Sequence, residues 1–167
     1  MTSTTGDLLP NHTLNDYDHS NIPWLKNAST TIECPPELAI IVHGWSLNET
    51  KAIERFDRAN MSLQRNNYRM PVVGFSWDSN TGFQWVNAGW TVANLIAKEN
   101  GPKLAQFIID YKTNCTDSDV RIIAHSLGSR VTLSALDNLY RNQKWNNGGF
   151  KISSVHFVGV AIAELRI

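Results

Sequence analysis

The sequence predicts an α/β fold, a mainly parallel sheet with helices on both faces. Two observations predict it. Four short apolar runs have strand length: L-A-I-I-V from Leu38, P-V-V-G-F-S-W from Pro71, V-R-I-I-A from Val120 and S-V-H-F-V-G-V-A-I from Ser154. Between them, apolar residues recur at helical spacing. Strands alternating with helices imply right-handed βαβ crossovers and a sheet covered on both sides.

Each element has its own reason. Residues 1–30 are polar and lack periodicity, so they read as an arm that contributes one strand or lies across the domain. The domain itself is assigned to residues 31–167. L-A-I-I-V-H-G, ended by Gly44, reads as a strand buried on both faces. Ser46 and Glu49 then resemble a capping box. Ala52, Ile53, Phe56, Ala59 and Leu63 mark the inward stripe of the helix that follows. Pro71 prevents that helix from resuming.

The run Pro71–Trp77 reads as a second buried strand, broken by S-N-T-G. A helical region from Gly89 is expected to be interrupted at E-N-G-P, Glu99–Pro102. Leu104, Phe107, Ile108 and Tyr111 share one face of the helix beyond it. T-N-C-T-D-S-D is a turn. The third strand leads into a helix over 127–140 with Val131, Ala135 and Leu139 inward. W-N-N-G-G-F reads as a loop before the fourth strand.

Composition excludes several functions. With 167 residues the chain can bury one real core. Fifteen basic residues balance fifteen acidic ones, so no electrostatic grip on nucleic acid or anionic lipid is expected. No window approaches the roughly 18 apolar residues of a membrane span. The N-terminus has neither the basic region nor the apolar stretch of a leader, so a cytoplasmic location is the default expectation, with secretion open if a leader was removed. Cys34 and Cys115 sit in no metal or redox spacing. Two free thiols are expected, with a disulfide as the alternative in an oxidising compartment. Sequons occur at Asn11, Asn27, Asn48, Asn60 and Asn114.

In doubly wound sheets, ligands bind at the carboxyl ends of strands. Those positions hold His43-Gly44-Trp45, Trp77-Asp78, His125-Ser126-Leu127 and Ala163-Glu164. A-H-S-L-G has the small-x-Ser-x-small pattern of a nucleophile elbow. There a strand turns into a helix within a few residues, and the serine takes strained backbone geometry. Positions two before and two after it press on neighbouring backbone, so Ala124 and Gly128 meet the demand for small side chains. The Leu127 N–H then lies at a helix N-terminus, where an oxyanion would form. V-H-G-W supplies a second loop in which Gly44 permits the turn and the Trp45 N–H is the second donor. The His43 imidazole is expected to brace that loop. Trp77, Asp78 and His43 are the candidate binding residues, and Trp45, Trp77, Trp85 and Trp90 could wall an apolar pocket.

I-V-H-G-W, G-F-S-W-D-S, R-I-I-A-H-S-L-G-S-R and the last strand occur in the order found in the α/β-hydrolase superfamily. The chain resembles its esterase- and lipase-like members over residues 38–162. G-F-S-W-D-S-N-T-G with N-G-P-K-L-A is similar to a group of archaeal hydrolases. The resemblance implies a serine hydrolase with a Ser-His-acid triad and neither metal nor cofactor. It implies Ser126 as nucleophile and Leu127 and Trp45 as oxyanion donors. The expected substrate is an apolar ester or related acyl compound.

The proton acceptor is the difficulty, because a serine hydroxyl needs a base. His12 and His19 lie in the polar arm, His43 in the oxyanion loop, and His125 is expected to brace the elbow with its ring turned away. His156 lies early in the last strand and reads as a core histidine. Glu164 is a candidate acid beside Ala163, although strand alternation aims it to the opposite side; Asp78 is a second candidate. The favoured explanation is a hydrolase lacking its C-terminal part. Two others stand beside it. A partner copy could supply the histidine and cover the sheet edge, or the pocket could serve a catalytically impaired binding or assembly module.

Overall fold

Four strands, β1 (Glu37–Val42), β2 (Val72–Phe75), β3 (Asp119–His125) and β4 (Ser154–Val158), form an all-parallel sheet in the order β2-β1-β3-β4. The structure, a computed structural model, describes residues 34–81 and 86–161. The expected arm over 1–30, Trp85 and the pair Ala163-Glu164 lie outside the described residues.

Alternation along the two central strands divides the sheet into two unequal faces. Leu38, Ile40 and Val42 of β1 and Val120, Ile122 and Ala124 of β3 are fully buried. They share one core with Leu104, Ile108 and Tyr111 of α2 (Val86–Asn114) and with Val131, Ala135 and Leu139 of α3 (Gly128–Arg141). The inward faces read from the sequence for these two helices are the ones observed. The opposite face carries α1 (Glu49–Arg65), and its cover is thinner. Of the expected stripe on α1 only Ala52 is buried, and Ile53 is 53% exposed. A cavity of about 420 Å³ opens between α1 and the sheet, lined among others by Ile41, Ala59, Leu63, Ile123 and Val158.

Several local expectations are corrected. The α1 N-cap is Asn48, whose Oδ1 accepts the Lys51 N–H at 3.0 Å. Ser46 instead sits two residues earlier with φ 62°, its N–H given to Ser79 O at 3.0 Å. Part of W-N-N-G-G-F is helical: α4 (Gln143–Asn147) is capped by Asn142 Oδ1, which accepts the Trp145 N–H at 3.0 Å. β2 and β4 are edge strands among the described residues and are only partly covered. His156 is therefore exposed on β4, its Nε2 paired with Ser154 Oγ at 3.1 Å; it is not a core histidine.

The E-N-G-P stretch does not interrupt α2, which runs unbroken through Pro102. A proline lacks the N–H that would bond the carbonyl four residues back, which here is Lys98. Ser134 Oγ of α3 donates to that carbonyl at 2.7 Å instead. Gly101 makes the approach feasible: a Cβ there would lie 2.3 Å from Ser134 Cβ and 2.8 Å from the Ala135 main-chain nitrogen. The proline's lost bond is thus replaced from a helix that follows it in sequence.

Cys34 and Cys115 form a disulfide, Cα–Cα 5.5 Å, across 81 residues; they are not free thiols. The bond ties the segment before β1 to the turn before β3. The Asp119 N–H reaches Pro36 O at 2.9 Å in the same place. Closing a loop of that length restricts the unfolded chain by about 4 kcal/mol in the chain-entropy view.

Gly101→Ala is expected to destabilise the fold by about 1–3 kcal/mol through overpacking. Helix propensity alone predicts a gain of about 1 kcal/mol. Urea unfolding of the single variant distinguishes the two signs.

Candidate active site

β3 ends at His125 and α3 starts at Gly128, so the chain reverses within Ser126 and Leu127. Ser126 takes φ 51°, a left-handed conformation that costs a non-glycine residue on the order of 1–3 kcal/mol. Its surroundings hold it there. The Ser126 N–H donates to Val158 O at 2.9 Å, and Ser126 O accepts the Ser129 N–H at 3.1 Å.

Two glycines set how closely the segments approach. A Cβ on residue 128 would sit 2.6 Å from the carbonyl oxygens of both Val42 and His43. A Cβ on residue 44 would sit 2.9 Å from Ser126 Cβ and 3.0 Å from His125 Nδ1. The loop after β1 is therefore pressed directly against the serine. Ala124, the other small position of the motif, is fully buried. Among the described residues, neither the Leu127 nor the Trp45 main-chain N–H meets an acceptor.

His43 locks that loop. Its Nε2 lies 3.1 Å from the Trp77 N–H, which can only donate, so Nε2 is the acceptor. Nδ1 then carries the proton and gives it to Gly44 O at 2.8 Å. The Trp77 indole stacks on the imidazole at 5.6 Å, and its Nε1–H returns to His43 O at 2.8 Å. Burial pushes the His43 pKa below its ordinary value. Trp77, 3% exposed, thus spends its ring on the histidine.

Two further residues hold the site, and the sequence did not single them out. Ser79 accepts the Ser46 N–H through its carbonyl at 3.0 Å and the Leu47 N–H through Oγ at 3.1 Å. Thr81 Oγ1 accepts the Trp45 Nε1–H at 2.7 Å and donates to Gly89 O at 2.9 Å. Trp90 meets the Trp45 ring edge-on at 5.4 Å. The available signal was polar residues directly after an apolar strand, in S-W-D-S-N-T. Asp78 is half-buried between these anchors.

The histidines among the described residues, His43, His125 and His156, do not converge on Ser126. His125 is exposed and lines the cavity under α1, together with His43 and Gly44. His156 is engaged with Ser154 on the edge strand. Glu164, the candidate acid, lies outside the described residues. Among the described residues no cluster of His, Cys, Asp and Glu is arranged to hold a metal, and no helix is long and apolar enough to cross a membrane.

A strained serine between a parallel strand and a helix, with a glycine loop against it, is the arrangement of a hydrolase nucleophile. A family model described as "Alpha/beta hydrolase of unknown function (DUF900)" matches residues 24–160. The chain belongs to this α/β-hydrolase family. No curated protein and no solved structure matches it. The matched span includes both strand-end loops and the strand-to-helix turn at Ser126.

The His43 clamp has a pH signature. The folded state disfavours the imidazolium, so His43 contributes stability above the ordinary histidine pKa of about 6.5 and loses it as pH falls through the lowered folded value. Urea unfolding of wild type and His43→Gln at pH 7.5 and at pH 5 is the check. The stability gap between them is expected to narrow at the lower pH.

Proposed function

We propose that the protein is a serine hydrolase acting on carboxylic esters or related acyl compounds. Ser126 is the nucleophile, and the Leu127 and Trp45 main-chain N–H groups are the oxyanion donors. The observation that carries this reading is the left-handed Ser126 held against Gly44. Strain of this kind persists only where packing enforces it, and here it sets a hydroxyl at the strand-to-helix turn. Two N–H groups from different loops, neither meeting an acceptor among the described residues, suit a tetrahedral acyl intermediate, whose negative oxygen needs preorganised donors.

In the reaction, Ser126 Oγ attacks the carbonyl carbon and its proton passes to a base. The tetrahedral intermediate collapses, the alcohol leaves with a proton, and water later frees the acyl group from the serine. The Trp45–Trp90 pair favours an apolar substrate, while Trp77 and His43 act as braces of the loop. Asp78 and Glu164 are the candidate acids.

A second reading has its own observation. Both nitrogens of His43 are engaged, His156 is paired on the edge strand, and His125 opens onto the α1 side. No histidine among the described residues accepts the Ser126 proton. That observation favours, as the second reading, an impaired hydrolase or a binding module. Loss of one triad member still leaves roughly 10³–10⁴-fold catalysis over water.

A fluorophosphonate probe tests the first reading. Labelling of wild type that disappears in Ser126→Ala is expected. Absence of labelling supports the binding module, and labelling that persists in the variant removes Ser126 from the mechanism.

A further inference from the structure

Three of the five sequons fall on described residues, and their geometry separates them. Asn60 lies within α1, partly buried, and its Oδ1 accepts from Gln64 Nε2 at 3.3 Å. Asn114 spends its Nδ2 on Asp110 O at 2.9 Å, and the next residue is the disulfide-bonded Cys115. Asn48 differs from both. It is exposed, with extended backbone at φ −79° and ψ 173°. Its Oδ1 caps α1 by accepting the Lys51 N–H, while its Nδ2 has no partner among the described residues. Thr50, the hydroxyl residue of that sequon, is also exposed.

A glycan on asparagine is carried by Nδ2, so a sugar at Asn48 would leave the Oδ1 cap intact. At Asn114 it would displace an existing hydrogen bond. A second, independent observation points to the same cellular route. The Cys34–Cys115 disulfide belongs in an oxidising compartment, and such bonds are rare in reducing cytosol outside hyperthermophiles. N-linked glycosylation of Asn-X-Ser/Thr likewise marks surface loops of exported proteins.

We propose that Asn48 is an N-glycosylation acceptor on a protein that matures in an oxidising, extracytoplasmic compartment. The glycosyl donor is a lipid-phosphate-linked saccharide. The Asn48 Nδ2 bonds to the anomeric carbon, the bond from that carbon to the phosphate oxygen breaks, and the lipid phosphate leaves. One amide proton goes to a base of the transferase. Disulfide closure passes two electrons and two protons from Cys34 and Cys115 to a disulfide donor, which becomes a dithiol. Both modifications sit on loops, at opposite ends of β1.

The test is mass spectrometry of the protein isolated from its native host, digested without reduction and fragmented so that sites are localised. The expected result is a saccharide mass on Asn48 together with a linked Cys34–Cys115 peptide pair. Asn48→Asp keeps a cap oxygen and removes the acceptor, and Thr50→Ala keeps the asparagine and breaks the sequon. Both are expected to lose the saccharide while keeping the near-ultraviolet circular dichroism of the folded chain. Unmodified Asn48 in the native protein, or a saccharide that survives in Thr50→Ala, overturns the proposal. So does a protein with two alkylatable thiols.

Discussion

The structure depends on one close approach. Gly44 and Gly128 let the loop after β1 and the start of α3 meet at Ser126 with no room for a side-chain carbon between them. The contact is repulsive for any larger residue and attractive only through dense packing. It exists because β1 and β3 are neighbours in register, Val42 opposite Ala124. Everything that keeps those two strands aligned therefore keeps Ser126 against the loop that follows β1. The disulfide and the Asp119-to-Pro36 bond align them at the amino ends. His43 and Trp77 fix the loop at the carboxyl end.

The two faces of the sheet divide the work. The α2–α3 face is the more densely filled one, with full burial on both central strands and a helix pair joined at Gly101 and Ser134. That face holds α3, whose N-terminus carries Leu127 and the favourable end of the helix dipole. The α1 face is less filled, with an open cavity lined by Gly44 and His125.

How much of this was legible in the sequence follows from the range of each interaction. The elbow was legible because strand, serine and helix are contiguous, and the demand for small residues falls within five positions. The inward faces of α2 and α3 were legible from spacing, since one helix buries one stripe. The continuous α2 was not, because the group that replaces the proline's lost bond lies on another helix, at Ser134. The disulfide was hidden by a sequence separation of 81. The exposed state of His156 was hidden because an apolar run looks alike in a central and an edge strand, and neighbours decide which it is. Ser79 and Thr81 escaped notice because their value lies in reaching back to Leu47 and Trp45.

In the proposed reaction the Leu127 and Trp45 amides donate to the oxyanion that forms when Ser126 attacks. The most direct measurement is a crystal structure of the protein after reaction with a small phosphonate. The expected result is phosphorus bonded to Ser126 Oγ and one phosphoryl oxygen within about 2.7–3.1 Å of both the Leu127 and Trp45 nitrogens. An adduct on another residue, or a phosphoryl oxygen turned to solvent and away from both amides, contradicts it.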